Sequence, residues 1–491
     1  MSLKKKIVLT AINAKWIHPS LALRLLKANL GALEERCEII EFNLRQPSGE
    51  ILETLLAAAA ETAILGISVS IWNHSATLEL LDGLNKTWPA QAKPVIVLGG
   101  PEASHLPPDS PVFRYADYVI RGEGETAFRV LCENILQNRL FDHNSSAYHY
   151  AELSQIKSAY YLYTDEDINN KLIYAESSRG CPYNCEFCLS SAGSEVREFP
   201  PEKFLSEMDE LIQRGVKTFK FLDRSFNINI KRSLQIMEFF LEKLNALSSS
   251  PDSSAPFTVH FEMVPSVFPD ELRVMLARFP PGSLRLEIGI QTLNPEVSAR
   301  IGRRSDPEKE LEALQFLSEK TNAIIHADLI AGLPGEDIAS FGSGFDRLWR
   351  VLCEDKKTSD AKDKNMAHES RDQICGRIEI QTGILKLLPG ALISRHNETF
   401  KMRYSAVPPY EALETSAMSE DDLKRIKNFA RFWELIVNRK LLPPAKFLNS
   451  TGENGVFNDF MILSDSLFSR FGRNWGIDRN ELISELRRNC A

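Results

Sequence analysis

The chain has 491 residues, of which 43% are hydrophobic and 25% charged, and its formal net charge at pH 7 is −8. This composition is typical of an ordinary globular protein, and the length predicts about three domains. The negative charge argues against a nucleic acid partner, because nucleic-acid-binding proteins usually carry a basic surface. No run approaches the roughly 18 apolar residues of a membrane span, and the basic start leads into a core strand rather than a signal peptide.

The first 140 residues alternate between strand-like and helix-like segments. KKIVLTAI, CEIIEFNL, AILGISVSI and PVIVLGG have strand patterns, and amphipathic segments such as SLALRLLKANLGALEE separate them. Apolar strands between helices predict an α/β domain over residues 1–140, with a doubly wound, Rossmann-like parallel sheet. Ligands of such sheets bind beyond the carboxyl ends of the strands. The candidate binding residues at those ends are Ser68, Trp72, Gly99, Gly100, Glu102, Gly122 and Gly124.

The rest of the chain divides into three further segments. A polar stretch over residues 141–170, containing HNSS and TDEDINN, predicts a linker. Over residues 171–390 six strand–helix repeats predict a partly open (β/α)6 barrel, and the charged run EDKKTSDAKDKNMAHESRD predicts a solvated loop before the sixth strand. Residues 391–491 predict a small helical C-terminal domain, which includes a serine-capped helix at SEDDLKRIKNFARFWELIVNRK.

The most informative motif is SSRGCPYNCEFC, in which Cys181, Cys185 and Cys188 offer three thiolates on one short loop. Tetrahedral zinc would need a fourth protein ligand, and no second cysteine pair or His-x3-His lies nearby. An iron–sulfur cluster fits better, because an iron without a protein ligand can bind a small molecule. The remaining cysteines lack disulfide-like spacing, which predicts a reducing cytoplasm; they are Cys37, Cys132, Cys353, Cys375 and Cys490.

The spacing C-x3-C-x2-C, with the aromatic Phe187 before the last cysteine, resembles the signature of radical S-adenosylmethionine (SAM) enzymes. The resemblance implies a 4Fe–4S cluster on the three cysteines, with SAM chelating the fourth iron through its amino and carboxylate groups. Reductive cleavage of SAM would give a 5′-deoxyadenosyl radical that abstracts hydrogen from a substrate. The resemblance also implies an electron donor such as flavodoxin or ferredoxin.

Polar residues at the predicted strand ends suit SAM, because carboxylates match its amino group and hydroxyls and a guanidinium matches its carboxylate. GIQ, an arginine twelve residues later and DLIAGLPGE resemble the coproporphyrinogen-oxidase-like and cobalamin-dependent branches. This implies SAM contacts at Gln291, Arg303 and Asp328, with Asp328 ending the fifth strand. Glu262 ends the third strand. Asp223 and Asn227, in DRSFN, stand where other branches place a Gly-Gly-Glu segment at the SAM amino group.

The N-terminal domain resembles the cobalamin-binding domain found ahead of many radical SAM barrels, in GISVSIWN, VIVLGGPEAS and ADYVIRGEGETAF. The resemblance implies that the strand-end residues named above contact cobalamin. The D-x-H-x-x-G motif that supplies a histidine to cobalt is absent, and the flanks of His18 do not fit it. Cobalamin would then bind without a histidine on cobalt, with Trp72 or Trp16 covering its lower face. The alternative is a sheet that has lost cobalamin.

Over about residues 1–390 the resemblance implies a cobalamin-dependent radical SAM enzyme, most often a methyltransferase acting on an unactivated carbon. The substrate, a small molecule or a peptide, is not named by the sequence. Radical cyclisation or rearrangement is one alternative. Methylthiotransfer is another, but its second cluster needs three cysteines, and the N-terminal domain has only Cys37 and Cys132. A non-catalytic cobalamin or cluster sensor is the third, and the polar residues facing SAM argue against it.

Overall fold

The computed structural model describes residues 6–58, 61–88, 93–139, 148–191, 195–247, 255–353, 376–441 and 455–489. The chain forms two compact units. The first comprises Met1–Ser178, Arg197–Lys220 and Val407–Pro409, and the second comprises Arg179–Val196, Phe221–Ala406 and Tyr410–Ala491. The charged run over residues 354–372, predicted as a solvated loop, lies outside the described residues. None of the described helices is long and apolar enough to cross a membrane.

The first unit begins with a five-stranded parallel sheet. Its strands are β1 (Lys6–Asn13), β2 (Cys37–Asn43), β3 (Thr62–Ser68), β4 (Val95–Gly99) and β5 (Tyr118–Val119). They are ordered β2-β1-β3-β4-β5, so the chain winds outward from β1 in both directions. This order places the loops after β1 and β3 beside each other at one edge of the sheet.

Helices cover both faces of this sheet because consecutive residues of its strands are apolar and buried. Ile7 and Leu9 of β1 pack into one core cluster and Val8 into another. The first cluster includes residues of α1 (Leu21–Ala28) and α5 (Glu125–Leu136), and the second includes residues of α2 (Ser48–Ala58), α3 (His74–Thr87) and α4 (Pro101–His105). A parallel sheet buried on both faces is the doubly wound arrangement that the sequence predicts.

The stretch predicted as a linker contains secondary structure of its own. The side chain of Thr164 caps the next helix, and Asp167 of that helix accepts a hydrogen bond of 2.7 Å from Arg24 Nη2. Both charged side chains are buried, so this ion pair fixes the stretch to α1. The elements over residues 121–221 that are not named above are β6 (Arg121–Gly122), β7 (Tyr148–His149), α6 (Asp165–Asn170), β8 (Ile173–Ala175), β9 (Ser178–Arg179), β10 (Arg197–Glu198), α7 (Pro201–Gln213) and β11 (Thr218–Phe221).

The second unit contains four parallel strands in sequential order, joined by helices. Along β13 and β14 buried apolar side chains alternate with less buried polar ones, so each strand has an apolar face and a polar face. The elements are α8 (Ile230–Leu247), β12 (Thr258–Met263), α9 (Asp270–Ala277), β13 (Leu284–Gln291), α10 (Pro295–Arg300), α11 (Pro307–Lys320), β14 (Ile324–Ala331), α12 (Ile338–Cys353) and β15 (Ile378–Ile384).

The C-terminal part of the second unit is mainly helical. The serine cap predicted there is confirmed, since Ser419 and Asp422 form a capping box at the start of a helix. Aromatic rings form its core, with Phe345 of α12 packed edge to face against Phe429 and Trp433. The elements are β16 (Arg403–Tyr404), β17 (Ala412–Glu414), α13 (Glu420–Trp433), α14 (Gly455–Phe471) and α15 (Arg479–Asn489).

Candidate active site

The three clustered cysteines lie in the second unit, on the loop that follows β9. Cys185 is buried and Cys181 and Cys188 are partly exposed. The Cys188 N–H donates to the Cys185 carbonyl oxygen at 3.0 Å, which closes a tight turn between the last two thiols. Within the described residues no three His, Cys, Asp or Glu side chains are grouped to hold a single metal ion. A 4Fe–4S cluster makes a different demand, because each thiolate binds a different iron.

Cationic side chains stand beside the thiols. Burial raises the pKa of the Cys185 thiol, and the positive charge of Arg303 opposes this effect. Burial also raises the pKa of Cys181, while hydrogen bonds from the Tyr183 N–H and the Ser225 hydroxyl lower it. Iron binds thiolates rather than thiols, so these cations and donors favour the form that a cluster requires. The donor set therefore fits three cluster ligands.

Gln291 ends β13, as predicted, with a left-handed φ of 69°. A bulge between Gly289 and Gln291 shifts the register against β14 and folds the side chain back over Gly289. A Cβ on Gly289 would lie 2.3 Å from Gln291 Nε2, so the glutamine amide occupies the space that a side chain at residue 289 would fill. The glycine and the glutamine of the GIQ motif thus pack together.

Arg303 follows α10 and reaches the same strand end. Its Nη2 donates to the Gly289 carbonyl oxygen at 2.5 Å and to Glu310 Oε1 at 3.2 Å. Burial raises the pKa of Glu310 to about 7, although the Arg303 charge opposes the rise. Among the described residues Arg303 Nε is buried without a hydrogen-bond partner. An orphaned guanidinium nitrogen fits the carboxylate of an amino-acid ligand.

Asp328 lies inside β14 and does not end the strand, which corrects the predicted position. The strand continues to Ala331 because its backbone pairs with β15 as far as Ile384. Asp328 Oδ1 lies 3.1 Å from His326 Nε2, two residues earlier on the same face. Burial lowers the pKa of His326, but hydrogen bonds to Asp328 and Glu379 outweigh this and raise the pKa to about 10. Asp328 therefore faces a protonated imidazole at neutral pH.

The DRSFN segment supplies an arginine that the sequence analysis did not single out. Arg224 Nη1 lies 3.3 Å from Oε1 of Glu262 on β12. The charge of Glu262 is the main cause that raises the pKa of Arg224, and Cys188 contributes to the rise. Arg224 therefore interacts with a predicted SAM residue and with a predicted cluster cysteine. The sequence feature that could have identified Arg224 is its position next to Asp223, in a segment that follows a strand.

Three further predicted residues, two in the DRSFN segment and one in the cysteine loop, are buried or partly buried. Asp223 is buried, and Phe187 is partly buried. Asn227 donates from Nδ2 to the carbonyl oxygens of Val264 and Val267 and accepts at Oδ1 from the Val264 N–H. These bonds tie the segment to the loop after β12. Contacts of all three side chains with SAM stay predictions.

In the first unit, candidate residues meet where β3 and β4 end. Ser68 pairs in register with Gly99, and the Val69 N–H donates to the Gly99 carbonyl oxygen at 2.8 Å. Gly100 has a φ of 97°, and a Cβ there would lie 2.7 Å from Val69 O. Glu102 is buried in α4, and its Oε1 lies 3.1 Å from Nδ1 of His74. Gly100 is thus needed where the two strand ends come together.

Gly122 and Gly124 stand apart from that group. A Cβ on Gly122 would lie 2.4 Å from His149 O, and one on Gly124 would lie 2.9 Å from Leu26 Cδ2. Protein atoms therefore occupy the space beside both glycines. Their predicted contacts with cobalamin, like those of the other strand-end residues, stay predictions.

Two tryptophans remain about half exposed at the carboxyl ends of the strands of the first sheet. Trp16 follows β1 and Trp72 follows β3, with exposures of 49% and 51%. Large apolar side chains are usually buried, so two exposed indoles beyond neighbouring strands fit a large planar ligand. His18 lies in the same loop as Trp16, and its Nδ1 is 2.8 Å from the Tyr174 hydroxyl. Burial lowers the pKa of His18, and the charges of Lys15 and Lys220 lower it further.

Two parts of the chain match family models. Residues 7–132 match the B12 binding domain, and residues 175–346 match the radical SAM superfamily. The first match covers the five-stranded sheet with its helices, and the second covers the cysteine loop and the strands that carry Glu262, Gln291 and Asp328.

The chain is also similar to characterised proteins. It is 25% identical over 324 residues to the cobalamin-dependent radical SAM methyltransferase TokK of Streptomyces tokunonensis, covering 59% of this chain and 45% of TokK. It is 24% identical over 330 residues to the 2-(S-pantetheinyl)-carbapenam-3-carboxylate methyltransferase of Streptantibioticus cattleyicolor, covering 60% of this chain and 46% of that protein. The chain thus spans less than half of each relative.

A solved structure shares the fold. The structure of the cobalamin-dependent S-adenosylmethionine radical enzyme OxsB with aqua-cobalamin bound matches with a TM-score of 0.63 and 15% identity, covering 99% of this chain and 79% of OxsB. The likeness confirms the predicted fold class, an α/β sheet domain followed by a (β/α) barrel and a helical C-terminal region.

Proposed function

We propose that this chain, which belongs to the radical SAM superfamily and carries a B12 binding domain ahead of its barrel, is a cobalamin-dependent methyltransferase. The observation that carries the proposal is the loop of Cys181, Cys185 and Cys188, with Arg303 and Arg224 beside the thiols. The names of two relatives, TokK and the carbapenam methyltransferase, support methyl transfer as the reaction.

The three cysteines would hold a 4Fe–4S cluster, and the polar strand ends around them would hold SAM. When bound, the cluster and SAM supply a 5′-deoxyadenosyl radical, and cobalamin supplies a methyl group for an unactivated carbon. Arg303 would pair with the SAM carboxylate through its unpartnered Nε. Carboxylates of Asp328 and Glu262 would accept hydrogen bonds from the ribose hydroxyls or the amino group. Gln291 would orient the adenosine from the end of β13, beside Asp223, Asn227 and Phe187.

The first unit would bind cobalamin at the carboxyl edge of its sheet. Ser68, Trp72, Gly99, Gly100 and Glu102 are the contacts that its topology favours, with Gly122 and Gly124 at the next strand end. Trp16 or Trp72 would cover the lower face of the corrin, because both indoles are exposed there. No histidine on cobalt is required in this arrangement.

The reaction needs partners that the chain itself does not supply. Radical SAM chemistry requires a one-electron reductant, and we propose flavodoxin or ferredoxin for this role. The substrate would be a small molecule or a peptide. We retain residues 1–140, 141–170, 171–390 and 391–491 as the proposed functional division of the chain.

Anaerobic reconstitution tests the proposal. The chain loaded with iron, sulfide and hydroxocobalamin should convert SAM, under a strong reductant, to both S-adenosylhomocysteine and 5′-deoxyadenosine, as measured by mass spectrometry. Omitting cobalamin should abolish S-adenosylhomocysteine alone. Formation of 5′-deoxyadenosine only, with cobalamin present, would favour rearrangement or cyclisation. Formation of neither product by a chain with intact cluster and cobalamin would favour a sensor.

A further inference from the structure

Glu186 is a buried acid inside the cysteine loop, between Cys185 and Phe187. Its side chain is only 5% exposed, and glutamate is seldom buried without a partner. Two consecutive residues beyond β15 hold its carboxylate. Arg395 donates from Nε to Oε2 at 2.9 Å and from Nη2 to Oε1, and His396 Nε2 lies 2.8 Å from Oε2. The arginine contact is bidentate, which fixes the direction of the carboxylate as well as its position.

The main chain is held from the same direction. The Ile393 N–H donates to the Glu186 carbonyl oxygen at 2.9 Å, and Ile393 is fully buried. On the other side the Glu186 N–H donates to the Ile301 carbonyl oxygen at 3.0 Å. Gly302 follows with a φ of 70°, and a Cβ there would lie 2.6 Å from Asn184 O. The loop between the last two cysteines is thus fixed between the segment before Arg303 and the turn over residues 392–396.

The same C-terminal segment reaches the AGLPGE turn. The rings of His396 and Phe400 are 5.8 Å apart, and Arg300 lies 4.7 Å above the Phe400 ring. Arg300 Nη1 donates to the Pro334 carbonyl oxygen at 2.6 Å. A Cβ on Gly335 would lie 2.5 Å from that nitrogen and 2.8 Å from Phe400. The glycine of this motif therefore makes room for the segment, which links the motif to the cysteine loop.

We infer that Arg395 and His396 are positioning residues that hold the cysteine loop, through Glu186, in the geometry and charge state that the cluster needs. The inference rests on the proposed function in one respect, that the three cysteines bind a cluster. Three thiolates must meet three irons at fixed distances, so a loop that swings freely loses iron faster. The pairing also neutralises a carboxylate next to a cluster ligand, where an unpaired negative charge would make the cluster harder to reduce.

Two substitutions separate these effects, because they change the local charge in opposite directions. Arg395→Gln leaves the Glu186 charge uncompensated, whereas Glu186→Gln leaves the guanidinium uncompensated and keeps hydrogen-bonding groups in place. We expect Arg395→Gln to release iron to a chelator at least about threefold faster and to shift the cluster midpoint potential to more negative values. Glu186→Gln should shift the potential to less negative values, and the double variant should return it towards that of the parent chain.

The matched control is Arg403→Gln, in the same C-terminal region. Arg403 pairs with Glu414 at 3.2 Å and with Glu420, and neither lies in the cysteine loop. All variants would be compared as full-length, cluster-loaded chains, by iron release and by reductive titration followed by electron paramagnetic resonance. The control should match the parent chain in both measurements.

Three outcomes would count against the inference. Parent-like iron release together with a parent-like potential in Arg395→Gln would overturn it. Potential shifts of the same sign in both single variants would indicate general loosening and would also overturn it. If Arg395→Gln does not fold, Glu186→Gln carries the test alone, and an unchanged potential there is decisive against the inference. A parent chain that binds no iron would instead overturn the proposed function, and the inference with it.

Discussion

The guanidinium of Arg303 reaches the buried carboxylate of Glu310, with 3.2 Å between Nη2 and Oε1. Glu310 is only 1% exposed, so removing its partner would leave an acid in an apolar environment. The arginine that is expected to bind the SAM carboxylate thus also has a partner within the fold. A test of its ligand role has to separate these two contacts.

Replacing Arg303 by alanine should weaken SAM binding more than tenfold while the cluster still assembles. The reason is that truncating one partner of a charge pair costs on the order of 2–5 kcal/mol. Isothermal titration of SAM into folded, cluster-loaded chains measures the effect. Glu310→Gln is the matched control, because it removes the internal ion pair and leaves the guanidinium. Normal SAM affinity in Arg303→Ala, or equal losses in both variants, would assign the arginine to the fold.

Asp328→Ala should weaken SAM binding less than Arg303→Ala does, because water can replace a carboxylate that accepts hydrogen bonds. The same titration measures it. His326→Gln serves as its control, since that variant loses the contact with Asp328 but keeps the carboxylate. If His326→Gln alone lost SAM affinity while Asp328→Ala kept it, Asp328 would have no part in binding.

Removing the three thiols of the cysteine loop should remove both the colour and the iron of the chain. Replacing Cys181, Cys185 and Cys188 together by alanine should abolish the absorbance at about 400 nm that comes from cluster charge transfer, and the bound iron with it. Iron analysis after anaerobic reconstitution checks this. Cys353→Ala is the control, because that thiol is buried in α12. Retention of iron by the triple variant would refute the assignment.

Cobalamin binding should not depend on His18. The Nδ1 atom of His18 is hydrogen-bonded to the Tyr174 hydroxyl, and His18 does not lie in a D-x-H-x-x-G motif. His18→Ala should therefore retain cobalamin in stoichiometric amount with an unchanged absorption spectrum. A changed spectrum in this variant would place the histidine on cobalt. Failure of the parent chain to retain cobalamin would favour a sheet that has lost its cofactor.

His326 should make the free energy of unfolding decrease as the pH becomes alkaline. Its pKa is about 10 in the folded chain against an ordinary 6.5, so the folded state binds the proton more tightly. This stabilisation is complete below pH 6.5 and is lost as the pH rises to about 10. Over that range the free energy of unfolding should fall by up to about 1.4 kcal/mol per pH unit more in the parent chain than in His326→Gln.

Urea unfolding of both chains across this range measures the difference. His105→Gln is the control, because burial lowers the pKa of His105 and its effect on stability therefore falls at more acidic pH. Parallel pH profiles for the parent chain and His326→Gln would show that His326 is not protonated in the folded state.

Local patterns were enough to predict much of the fold. The apolar runs of β1 and β3 and the helices between them identify a parallel sheet, because burial on both faces leaves a signal within each segment. The serine cap at Ser419 is equally local, since its partner Asp422 is three residues away. The cysteine loop was found for the same reason, as all three thiols lie within eight residues.

Contacts between distant segments were not predictable in this way. Arg395 and Glu186 are separated by 209 residues, and nothing in either segment indicates the other. The position of Asp328 was wrong because strand length depends on pairing with β15, about 50 residues later in the chain. Gly122, read as a ligand-facing glycine, lies against His149 of β7. Sequence identifies residue chemistry here, while tertiary pairing decides which atoms remain available.

The polar faces of β13 and β14 attract water in the second unit. Arg285, Glu287, His326 and Asp328 alternate with buried apolar residues, so the face opposite the helices is charged and attracts solvent. Water is therefore excluded from this face only when ligands bind, because each ligand displaces solvent from the charged side chains. Occupancy of this face by SAM and substrate then sets how much water remains there, and the substrate should accelerate SAM cleavage above its rate with SAM alone.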